Sequence, residues 1–138
     1  MNKVILLGYV GRDPRVYETG ERSRAVFSLA THETVKREGI KEQRTLWHEV
    51  VVFNPYLLPF VKELKKGDQV LVEGRLRYHV IPQEPKPLKI PEIVVSEREG
   101  KLFVIRTKEA RETALASIDS STKEETELCQ QKTEQSMC

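Results

Sequence analysis

Trp47 and Phe53 lie six residues apart on one run of strand-forming residues, and Lys36, Arg37, Lys41 and Arg44 come just before them. With the period of two that a strand imposes, Leu46, His48, Val50 and Val52 share one face of residues 45–53, while Trp47, Glu49, Val51 and Phe53 share the other. If the first face is core, the second carries two rings beside a cluster of cations. Rings offer flat surfaces for bases to stack on, and cations neutralise phosphates, so the combination suits single-stranded nucleic acid. The alternative is that both rings lie in a second core layer, where large aromatics are usually found.

Other chemistry finds little support. His32, His48 and His79 are scattered over different elements and converge with no acid or nucleophile, so we assign no catalytic residue, no metal site and no cofactor. Gly8-Tyr9-Val10-Gly11 lacks the Lys-Ser/Thr of a phosphate loop and precedes a turn rather than a helix. Glu38 and Glu42 are read as loop solvation.

The formal charge of +2 conceals an asymmetry: residues 1–108 hold 20 Lys/Arg against 14 Asp/Glu, whereas residues 109–138 hold 3 against 7. A basic body suits a polyanion, although an ordinary solubilising surface would look similar. All nine aromatic residues fall at or before Phe103. Residues 1–106 are therefore read as one domain and 107–138 as an acidic, disordered tail, with a short helical start over residues 108–116. Cys129 and Cys138, both in the tail, suggest neither a disulfide framework nor a zinc site. No apolar run approaches the roughly 18 residues of a membrane span, and Met1-Asn2-Lys3 leads straight into an amphipathic strand, with no secretory signal or organellar presequence read there.

Strands are expected over residues 2–9, 25–31, 45–53, 69–78 and 92–95, with a short extra one over 101–105. Residues 36–44, charged and with Gly39 at their middle, are expected to be a loop. A helix is expected over residues 59–66, with Pro59 in its first turn, Phe60, Val61 and Leu64 at helical spacing, and Gly67 closing it. Residues 79–91 contain four of the seven prolines and are expected to be a stiff loop. These elements specify an all-β fold, a five-stranded Greek-key barrel of the OB type with one helix between strands 3 and 4. Val4-Ile5-Leu6-Leu7 would be an aggregation risk as an open edge, so pairing with a second chain is expected.

Several pieces then fall into a recognisable order: Asn2-Lys3-Val4-Ile5-Leu6-Leu7-Gly8 with Gly11-Arg12-Asp13-Pro14, Phe27-Ser28-Leu29-Ala30-Thr31, Thr45-Leu46-Trp47-His48, Val50-Val51-Val52-Phe53, Leu64-Lys65-Lys66-Gly67, and Val72-Glu73-Gly74-Arg75-Leu76-Arg77. Residues 1 to about 106 resemble the bacterial and mitochondrial single-stranded DNA-binding proteins. The resemblance implies a homotetramer of OB folds that wraps single-stranded DNA without sequence preference during replication, recombination and repair. Under it, Trp47 and Phe53 match stacking aromatics, His48 matches an interface histidine, and Gly8 and Gly11 match glycines where the first strand bends toward a neighbouring subunit, with Val4 and Leu6 on that strand in the interface. Tyr78, beside Arg75 and Arg77, is a further candidate for stacking, or a barrel-rim residue. The candidate phosphate contacts are Lys3, Arg12, Lys36, Arg37, Lys41, Arg75 and Arg77, whereas Lys62, Lys65 and Lys66 equally suit the last turn of a helix.

The chain also departs from that pattern. Val35 and Ile81 stand where typical bacterial members carry two more tryptophans, and Glu49 stands where a cation is usual. The ending Glu134-Gln135-Ser136-Met137-Cys138 lacks the acidic Pro-Phe tip that docks on replication partners. That ending, with Val52-Phe53-Asn54-Pro55 before a leucine-rich helix start, favours a mitochondrial setting over a bacterial, plasmid or phage protein in the cytoplasm. The competing function is an OB-fold interaction subunit of a replication or primosome-like assembly.

Overall fold

In the computed structural model, residues 1–20, 23–110, 112, 113 and 115 are described. The chain divides into two units after Thr107. The first unit carries strands β1 (Val4–Val10), β2 (Arg15–Tyr17), β3 (Arg24–Arg37) and β4 (Ile40–Val52), helix α1 (Leu58–Glu63), and strands β5 (Gln69–Ile81), β6 (Leu88–Val95) and β7 (Lys101–Arg106). In the second, Lys108, Glu109, Ala110, Glu112, Thr113 and Leu115 are helical, as expected for that segment. The disorder expected for the rest of the tail, and both cysteines, fall outside the described residues.

Five strands close the barrel in the order β1-β3-β4-β6-β5, with β5 returning to β1. Every junction is antiparallel except β4 with β6, where Val50, Val51 and Val52 run parallel to Ile93, Val94 and Val95. This is the OB fold, with α1 between its third and fourth barrel strands. The other two strands are additions: β2 pairs with β3, and β7 pairs with β5 beside the stretch that β1 covers from the other edge.

The core follows from alternation. Phe27, Leu29, Val50, Val52, Val70, Val72 and Val95 point inward and are buried, and their β-branched majority suits a pleated wall. Helix α1 caps one end of the barrel with Leu58 and Val61, followed by Leu64 just past its last turn. The helix is shorter than expected, and its inner face is Leu58, Val61 and Leu64, whereas Phe60 is exposed. Pro59 lies in the first turn, where a missing N–H costs nothing.

Two expected loops are strand over much of their length, although residues 82–87 remain a loop. The segment 36–44 belongs to a continuous ribbon in which β3 and β4 stay paired out to Arg37 and Ile40. Glu38 (φ 52°) and Gly39 (φ 79°) make the two-residue turn, and two successive positive φ values are what a type I′ hairpin requires. The proline-rich segment behaves similarly, since His79, Val80 and Ile81 pair with Ile90, Lys89 and Leu88. Pro91 is tolerated because β6 has only β5 beside it there; its pairing with β4 starts at Ile93. Among the described residues no helix is long and apolar enough to cross a membrane.

Candidate nucleic-acid interface

The outer face of β4 forms the floor of a groove of about 720 Å³. Trp47, Glu49 and Val51 point into it from β4, and Val26 and Ser28 from the neighbouring β3. Trp47 is 63% exposed, so the reading in which it fills a second core layer is excluded. It keeps a defined place through Gly11: a Cβ there would collide with the far edge of the indole and lie 2.8 Å from Ser28 Oγ. The Gly11 N–H in turn donates to the Ser28 carbonyl at 2.8 Å, fixing the backbone over which the ring lies.

Phe53, half-buried one residue past β4, stands at the other end of the groove, with the Arg77 guanidinium 5.3 Å from its ring centroid. Arg77 also donates to Glu92 at 2.8 Å from the paired position on β6. Glu92 is 8% exposed, so Arg77 is both a groove cation and the neutralising partner of a buried carboxylate. Arg12 lines the groove as well, and Glu49 is exposed within it. The carboxylate of Glu49 beside Trp47 opposes a phosphate, as its alternation predicts.

The remaining candidates lie elsewhere. Tyr78 is exposed, yet it falls on the opposite face of β5 from Arg77 and is not part of the groove wall. Arg75 is exposed on the Arg77 face nearer the barrel. Lys36, Arg37 and Lys41 are exposed at the end of the β3–β4 ribbon, with Lys36 directly opposite Lys41. Lys3 is paired with Glu73, whose carboxyl is held below its ordinary range chiefly by the hydrogen bond from Lys3. Lys62 is paired with Glu18, a surface pairing.

The residues assigned to an interface divide similarly. Val4 and Leu6 pack against the barrel core, and Ile5 and Leu7 are the outward residues of β1. Gly8 is needed within the chain, because a Cβ there would run into the Ala30 carbonyl where β3 closes onto β1. His48 is partly buried, with its Nε2 2.7 Å from Thr31 Oγ1. Burial lowers its pKa from the ordinary 6.5, so the folded state disfavours the imidazolium, and stability through this ring is lost as pH falls below 6.5.

Sequence reasoning missed Tyr17 and Arg24, which also line the groove. A strand of three residues shows no alternation to read, and nothing before the fold was known placed β2 beside Phe53. Among the described residues no group of His, Cys, Asp and Glu could hold a metal ion.

The comparisons agree with this geometry. A family model described as the single-strand binding protein family matches residues 1–99. The mitochondrial single-stranded DNA-binding protein of Drosophila melanogaster is 39% identical over 99 residues, 70% of this chain and 68% of that protein. The single-stranded DNA-binding protein of Rickettsia typhi is 44% identical over 81 residues, 56% of this chain and 53% of its own length, so the chain spans about half of that relative. Among solved structures, the Plasmodium falciparum SSB complex with ssDNA superposes with a TM-score of 0.70 at 33% identity, covering 76% of this chain and 95% of that one. The chain belongs to the single-strand binding protein family.

Proposed function

We propose that the protein binds single-stranded DNA without sequence preference and protects it during replication, recombination and repair, as a homotetramer. The observation that carries this reading is an exposed Trp47 seated over Gly11, in a groove that also holds Phe53 and several arginines. Such a groove offers π surfaces that any base can use and cations that track a backbone. Lys36, Arg37 and Lys41 extend the positive surface beyond the groove on the ribbon. The test is a titration with oligothymidine, and separately with duplex, following Trp47 emission at two salt concentrations. Strong quenching by the single strand with a salt-dependent midpoint is the expected result. An unquenched Trp47 in a folded protein would favour the interaction subunit.

The tetramer is supported by the edge of β1. On its β3 side β1 pairs only through Tyr9 and Val10, so among the described residues, residues 4–8 have no in-chain strand partner on that edge. On the outer face, Ile5 and Leu7 are exposed, Leu71 lies opposite Leu7, and Phe103 lies opposite Leu71 and is exposed too. An apolar edge and face of this kind are covered most simply by further copies of the same chain. Leu7→Glu is expected to lower the light-scattering mass at micromolar protein; an unchanged mass would remove this face from the interface. The relatives are mitochondrial and bacterial. Our reading keeps the mitochondrial setting, on residues 52–58.

A further inference from the structure

Taking single-strand binding as its premise, we propose that Tyr17, with Arg24 beside it, is a third base-stacking platform, which carries the strand past Phe53 onto β2. Val16 packs against the core, so its neighbours Arg15 and Tyr17 point outward, and both line the groove. Tyr17 is 41% exposed, and the Arg24 guanidinium stands 5.1 Å from its ring centroid on the residue paired with it. Ala25 pairs with Val52, so Arg24 lies one step from Phe53, which has Arg77 over its own ring. Four side chains therefore follow one another across the sheet as ring, guanidinium, ring, guanidinium: Tyr17, Arg24, Phe53, Arg77.

That alternation matches a single strand, whose bases and phosphates also alternate. Tyr17 and Phe53 are two strand spacings apart, ~10 Å, a distance a flexible strand can bridge. A guanidinium displaced from an exposed ring gives up a weaker contact than the base that replaces it gains, and the released charge is then available to phosphate. Charge favours this direction as well. Glu49 lies near Trp47, whereas Arg15 and Arg24 lie at the Tyr17 end, and Arg77 is already neutralised by Glu92.

The experiment compares wild type, Tyr17→Leu and Tyr17→Phe with a short and a long oligothymidine at fixed salt, read by Trp47 emission. Tyr17→Leu keeps apolar bulk under Arg24 but removes the π face. It is expected to weaken the long oligomer about fivefold or more and leave the short one unchanged, with Tyr17→Phe binding both like wild type. A second variant, Tyr17→Trp on a Trp47→Phe background, reports from the platform itself and is expected to be quenched by the long oligomer. Equal affinities for wild type and Tyr17→Leu, equal losses for both lengths, or an unquenched Trp at position 17 would each overturn the platform. Failure of the premise is distinguishable, because Trp47 of the wild type would then not be quenched by either length.

Discussion

Replacing Trp47 by alanine is expected to weaken oligothymidine binding by about 5- to 150-fold, the range spanned by removing one base–aromatic stack of roughly 1–3 kcal/mol. The effect should fall on binding alone. The ring is 63% exposed and rests on a glycine, so few core contacts go with it, and the urea midpoint should remain near that of the wild type. The loss should persist as salt is raised, because stacking releases no counterions, whereas removing Lys36 or Lys41 should reduce the slope of affinity against salt. An alanine variant that binds like the wild type would show that the groove does not hold the strand.

The largest stability effect is expected at Gly8. Valine there places a branched side chain against the Ala30 carbonyl, and its Cβ alone lies 3.2 Å from Leu29 Cγ. Neither neighbour can yield cheaply: the first is backbone on β3, and Leu29 is fully buried. Relief must come from separating β1 from β3 at Tyr9 and Val10, the only place where those two strands pair. Overpacking usually costs 1–3 kcal/mol, and we expect about 3 kcal/mol because the strain falls on barrel closure. The check is the urea midpoint, which should fall with little change in slope. The same residue drew attention in sequence as a subunit contact; its in-chain role needs no neighbour.

What could be read beforehand depended on where one face met core. On residues 45–53 the alternation separated the two faces and left open only whether the Trp47 face was a second core layer; Trp47 is exposed because Val50 and Val52 anchor the opposite face in the barrel. Beyond the barrel both faces of a ribbon meet water, so polarity no longer alternates and strand looks like loop. That is why the strand residues within 36–44 and at both ends of 79–91 were missed, while residues 82–87, with three of the four prolines, are the expected loop. In α1, Phe60 was credited to the apolar face because hydrophobicity alone does not say which of several apolar positions turns inward; Leu58 and Val61 do. The pairing of Tyr17 with Arg24 depended on β2 folding against β3, a contact that no local pattern encodes.

The two-residue turn at Glu38 and Gly39 leaves the long ribbon no slack. A single inserted residue in either arm would have to bulge out or shift every rung beyond it, and a shift exchanges the two faces, moving Lys41 off the Trp47 face and Arg44 onto it. The arm can therefore lengthen or shorten over generations most easily by two residues in β3 and two in β4 together, which keeps the faces, the register and the kind of pair that closes the turn. Its reach along a bound strand should vary among descendants of this sequence in discrete steps of strand rise.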